Sequence, residues 1–125
     1  ISLDANTRFN RVTEIYDRSM EAAAGIVLRD GGERMQDGHC IAYWEPAAGN
    51  DGNTGIGVVF PEGIAQSVEN CGHLLALTSV KANEPFTYYT GAGWSKAGTE
   101  DAKAWFDEVE DEAARLASPL VVDIR

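Results

Sequence analysis

Residues 85–96 read Pro85-Phe86-Thr87-Tyr88-Tyr89-Thr90-Gly91-Ala92-Gly93-Trp94-Ser95-Lys96, and the fold turns on how they are read. Thr87 to Thr90 are β-branched or aromatic and predict a strand. Gly91 and Gly93 are expected to let the backbone leave the sheet and turn, with Trp94 and Lys96 standing at the sheet's end. An aromatic face beside hydroxyls and an amine suits a sugar ring, whose C–H face stacks on Trp or Tyr while its hydroxyls need fixed polar partners. The same group also suits the closing of a core, the commoner use of Trp and Tyr in small β domains. Both readings stay open on the residues alone.

Outward from this stretch the pattern is one of short strands joined by turns. On its N-terminal side, Arg8–Tyr16 alternates and predicts a half-buried strand, with Asn10, Val12, Glu14 and Tyr16 on one face. Ala22–Arg29 suits a buried strand or a short helix, and Gly25 with the branched pair Ile26-Val27 favours strand. Asp30 to Gly38 reads as a long polar loop. His39–Glu45 is a further strand, ended by Pro46, which has no N–H for a ladder. The turn formers of 47–54 follow, then the glycine-tolerant strand Gly55–Phe60, a polar connection over 64–71, and the strand His73–Val80.

After Lys96 the period changes to that of a helix. Ala102, Trp105, Phe106, Val109, Ala113 and Leu116 share one face, opposite Asp107, Glu108, Asp111 and Glu112, and Thr99 is the expected N-cap. Leu120–Ile124 alternates as a last strand. The expected fold is mainly β, an antiparallel β-sandwich or part of a supersandwich with one C-terminal amphipathic helix.

With 125 residues, 44% of them hydrophobic, the chain fits a single domain with a real core. Its 20 acidic and 10 basic residues give a net charge of −10, which repels nucleic acid and anionic membranes. A uronic-acid polymer needs a local basic patch, for which Arg29, Arg34, Lys81 and Lys96 are the candidates. No apolar run is long enough for a transmembrane helix. The chain begins with Ile1, so a processed or excised piece of a longer protein is expected. Cys40 and Cys71 make no disulfide framework, and free buried thiols are favoured over a bridge.

No sequence motif here identifies a reaction: nucleophile elbow, phosphate-binding glycine loop, dinucleotide fingerprint and metalloprotease helix are all missing. Asn50-Asp51-Gly52-Asn53 resembles part of a calcium loop but lacks the later Glu, so a plain turn is favoured. Two His and two Cys, scattered, leave no metal site to expect, and no cofactor is expected either. His73, six residues before Ser79, is the better placed of the two histidines for proton transfer. Tyr88 and Tyr89 should point to opposite faces of a regular strand.

Four blocks carry a resemblance: Ile41-Ala42-Tyr43-Trp44-Glu45-Pro46, Gly57-Val58-Val59-Phe60-Pro61-Glu62, Gly72-His73-Leu74-Leu75-Ala76 and the stretch 85–96. Together they resemble the C-terminal half of an uncharacterised domain family of polysaccharide-degrading bacteria, itself similar to the galactose-mutarotase-like supersandwich proteins. The resemblance implies a secreted or periplasmic carbohydrate-active protein about twice this length or more. Its action would be on uronic-acid- or rhamnose-containing plant or algal polysaccharide, by chemistry like that of a polysaccharide lyase, glycoside hydrolase or sugar epimerase. It makes His73, Tyr88 and Lys96 the catalytic candidates, with Trp94, Tyr89 and Trp44 as substrate-binding residues. His73 or a Tyr would move the proton, Lys96 would offset developing negative charge and Trp94 would hold the ring. The alternative is a non-catalytic carbohydrate-binding or structural domain of a larger enzyme. The expected partners are an oligo- or polysaccharide and either a second copy or the N-terminal half, which would cover a raw hydrophobic edge.

Overall fold

The computed structural model describes residues 2–3, 8–47 and 49–117, with side chains at 8–47 and 49–116. In chain order the elements are β1 (Ser2–Leu3), β2 (Phe9–Ile15), β3 (Met20–Val27), β4 (Glu33–Gln36), β5 (Cys40–Trp44), β6 (Thr54–Val59), β7 (Gln66–Asn70), β8 (His73–Val80), β9 (Pro85–Trp94) and α1 (Ala102–Ala117). They build one sheet of order β1-β2-β9-β6-β5-β4 and a smaller one of order β3-β8-β7, with every pairing antiparallel. The chain is therefore a mainly β fold of two antiparallel sheets with a C-terminal helix. Leu120–Ile124, expected as a strand, lies outside the described residues.

Strand β5 explains the layering. Each of its five residues is buried, and a strand of period two can bury all of them only between two layers. Cys40, Ala42 and Trp44 face α1, joining Phe9, Val59, Trp105, Val109 and Ala113. Ile41 and Tyr43 face the smaller sheet and meet Val58, Phe60, Ile26, Leu74 and Ala76. The molecule is thus helix, large sheet, small sheet, with an apolar layer in each gap.

One expectation is corrected by this layering. Gly91 and Gly93 do not turn the chain out of the sheet; β9 runs unbroken to Trp94. What the glycines provide is depth. A Cβ on Gly93 would stand 2.7 Å from the Trp105 ring, one on Gly55 would stand 2.6 Å from it, and one on Gly91 would stand 2.6 Å from Phe9. Bare backbone on β6 and β9 is the floor on which Trp105 lies, stacked parallel to Phe9 with centroids 5.9 Å apart.

The helix cap also differs from expectation. Asp101 Oδ1 accepts the Ala104 N–H at 2.8 Å, which makes Asp101 the N-cap. Thr99 is instead buried, 2% exposed, and its hydroxyl accepts a hydrogen bond from Arg8 Nη1.

The polar segments around 33–36 and 66–70, read as loop and connection, are the strands β4 and β7. Both are sheet edges with largely exposed side chains, and a salt bridge from Arg34 to Glu69 ties them together. Strand β3 begins at Met20, two residues before the expected start. Both cysteines are free; Cys40 is buried and Cys71 exposed. Burial pushes the Cys40 thiol up to about 12, helped by the nearby Asp37 and Glu110 carboxylates.

Candidate functional site

The end of β9 carries the site that the fold builds most deliberately. Trp94 is 44% exposed, yet its indole is held: Nε1–H donates to the Asp51 carbonyl at 2.6 Å. The next residues are held by the same loop. Ser95 N–H donates to the Asn53 carbonyl at 2.9 Å, and Ser95 Oγ accepts the Asn53 N–H at 2.8 Å. Lys96 Nζ donates to the Asn50 carbonyl, and Asn53 Nδ2 donates back to the Glu45 carbonyl at 2.9 Å. The turn 50–53 is thus a bracket that spends its carbonyls on the Trp94 rim. Gly52 sits in it at φ +78°, against the Ser95 hydroxyl, where only a residue without Cβ fits easily.

Beside the bracketed indole lies an open hollow of about 430 Å³ lined by Arg8, Thr54, Ala92, Gly93, Trp94 and Ala97. Thr54 pairs with Trp94 across the ladder, so both side chains stand on the sheet face turned away from α1. Arg8 closes one side. Besides its bond to Thr99, its Nη2 donates to the Ala97 carbonyl at 3.0 Å and its Nε stands 3.7 Å from Glu108. A guanidinium has five N–H donors, so this anchoring leaves donors for a ligand in the hollow. Arg8 was not singled out from the sequence, because nothing local links residue 8 to residues 94–99.

The six expected site residues divide among several places. Trp94 and Lys96 meet on the rim. Trp44 is 6% exposed, inside the helix-side core, and presents no ring face to a ligand. Tyr88 and Tyr89 do face opposite ways: Tyr89 packs against the helix-side core and Tyr88 against the inter-sheet core. Tyr89 also lines a separate hollow of about 310 Å³ with Pro61, Glu62, Pro85, Thr87 and Leu116.

Tyr88 stacks on Phe86 at 5.6 Å and stands near Glu14. Burial, then the Glu14 carboxylate, raises its phenol above the usual range, which keeps it a neutral donor at physiological pH and a poor base. Glu14 raises Tyr16 as well, behind a desolvation effect.

His73 opens β8 in the small sheet, its Nδ1 3.0 Å from the Cys71 carbonyl. Ser79 is six residues along the same strand, roughly 20 Å away at strand rise, too far for a shared proton. Among the described residues no three His, Cys, Asp or Glu side chains converge on a point that could hold a metal ion, and no helix is long and apolar enough to cross a membrane.

Fold and rim together describe a helix-covered, two-sheet antiparallel β domain with a fixed aromatic platform. The chain belongs to the family described as a domain of unknown function, DUF4861, whose model matches residues 1–122. Neither a curated protein nor a solved structure matches the chain.

Proposed function

We propose that this chain is a carbohydrate-binding domain that serves the breakdown of plant or algal polysaccharide, holding a sugar ring against Trp94 in the hollow beside Arg8 and Thr54. The observation that carries this reading is the half-exposed indole held by a hydrogen bond: its N–H is bonded to the Asp51 carbonyl, and Trp94 lines a hollow together with Thr54 and Arg8. Stacking on a pre-positioned ring loses little conformational entropy, and fixed donors around it read the hydroxyls or a carboxylate. Arg8 would supply the local positive charge that a uronate needs in a chain of net charge −10.

The binding reading is favoured over turnover within this chain because His73, Tyr88 and Lys96 lie in three different settings and do not form a proton-transfer set. Catalysis of the lyase, hydrolase or epimerase kind would then belong to further parts of a longer, secreted or periplasmic protein. The test is calorimetric titration of the folded chain with uronic-acid-containing oligosaccharides and with neutral ones, using Trp94→Ala as the control. Heat that vanishes in Trp94→Ala supports the reading; a folded chain that binds none of these sugars sinks it.

A further inference from the structure

Strand edges are where sheet proteins recruit other chains, and natural folds blunt them with short length, charge or proline. Among the described residues the two sheets have four edge strands, and three of them are blunted. β1 is two residues long, β4 carries Glu33, Arg34 and Gln36, and β7 carries Gln66, Glu69 and Asn70. The fourth edge, β3, is not. It runs eight residues as MEAAAGIV with Glu21 its only charge, and among the described residues nothing pairs with the side away from β8.

The surroundings of that edge are apolar on both sides. On the outer face of the small sheet stand Ala23 and Val27 of β3, the latter 46% exposed, with Leu75 and Leu77 of β8 and Val68 of β7. Below the edge lies a ledge. β3 packs over β6 and β8 over β5, so β9 and β2 extend past β3 in the large sheet. Their upward side chains, Phe86, Tyr88 and Val12, are only partly buried.

We propose that the free edge of β3 and this ledge form a docking slot for an extended strand of another protein, which pairs with the β3 backbone and lays alternate apolar side chains on Val12, Phe86 and Tyr88. Such a strand would carry a basic residue at one end. Glu14 pairs with Phe86 on the ledge and Glu21 pairs with Ser79 near the start of β3, so both acidic residues lie at the same end of the slot, one on the ledge and one on the outer face of the small sheet. A second copy of this chain does not fit. Pairing two β3 strands about a two-fold normal to the sheet would bring the partner's large sheet into the layer that β9 and β2 already fill. Each copy would also bring its own Glu21 and net charge of −10.

The probe is an N-acetylated, amidated octapeptide of alternating valine and threonine with lysine at one end, compared with its counterpart carrying glutamate there. Expected are titration heat with the lysine peptide, slowed hydrogen exchange at the β3 amides, and affinity at least roughly tenfold weaker for the glutamate peptide. Val12→Lys should weaken binding by a similar factor. Ile15→Lys, on the opposite face of the same strand and 65% exposed, should leave it unchanged. Exchange in the wild-type chain keeps the test valid should Val12→Lys fail to fold. No protection of β3 by the lysine peptide would overturn the proposal. So would equal binding of both peptides, or sedimentation showing that self-association alone protects β3.

Discussion

Trp105 and Trp94 are eleven positions apart and meet opposite fates. Trp105 is fully buried, lies on glycine backbone and donates its N–H to the Ile56 carbonyl at 3.2 Å. Trp94 donates its N–H to Asp51 and leaves much of its ring in water. In both, a single hydrogen bond orients the indole. What differs is whether the fold supplies a second surface. For Trp105 the floor is Gly55, Gly57 and Gly93, and Phe9 stands beside it; for Trp94 a hollow takes that place. The first ring is an element of stability; the second is, on the proposed function, the surface offered to a ligand.

The largest expected effect breaks the buried half of this pair. Trp105→Ala removes the side chain that joins α1 to β6 and β9, and should lower the unfolding free energy by about 3–5 kcal/mol, as Trp truncations in cores do. Chemical denaturation with the midpoint and slope both fitted would measure it. A loss under about 1 kcal/mol would mean that the glycine floor is not what holds the helix. Gly93→Ala attacks the same contact from below. Its new Cβ would press on the Trp105 ring and on the Thr99 hydroxyl at 2.9 Å, so a loss of roughly 1–3 kcal/mol is expected from overpacking. A neutral or stabilising Gly93→Ala would show that the glycine is there for some other reason.

A third test uses the thiol beneath the helix. Cys40 holds its proton more tightly in the fold, with a pKa pushed up to about 12. A thiol of the unfolded chain ionises near its ordinary value of 9.0. The folded state therefore binds the proton where the unfolded state has lost it. Stability should be intact below pH 9 and should fall by about 1.4 kcal/mol per unit as pH rises from 9 towards 12. Tyr16 and Tyr88 push in the same direction, so the diagnostic quantity is the difference between the wild-type slope and that of Cys40→Ala. Identical slopes would remove Cys40 from the alkaline loss.

How much of this was legible in the sequence depended on how local the cause was. The helix face Ala102–Leu116 and the strand β5 were legible, since each shows in a single local run; that β5 is buried on both faces was not. β4 and β7 did not, because an edge strand tied by Arg34–Glu69 needs no apolar pattern to form its ladder. Gly91 and Gly93 looked like breakers because the reasons for them, the Phe9 ring under Gly91 and the Trp105 ring under Gly93, lie far away in the sequence. Thr99 looked like a cap for the same reason; its true partner, Arg8, is 91 residues distant. Trp94 and Lys96 fall together on the rim because they are near neighbours in the sequence. Trp44 was not separable from them, as nothing in its immediate sequence tells a ring packed under a helix from one left in water.

The smallest expected effect on stability is at Trp94, and it sharpens the comparison most. Trp94→Ala loses one hydrogen bond and a half-exposed ring, so its cost should be on the order of 1 kcal/mol, a fraction of that at Trp105. Trp94→Phe keeps a ring face but loses the N–H that fixes it to Asp51. If the indole is a platform, Trp94→Phe should retain weakened sugar binding while Trp94→Ala retains none, and both should unfold near the wild-type midpoint. If Trp94→Ala instead unfolds as readily as Trp105→Ala, the rim indole is a second core residue and the two tryptophans do the same job. Equal stability with lost binding would separate them: one ring is filled from within by the fold, the other is filled from outside by its ligand.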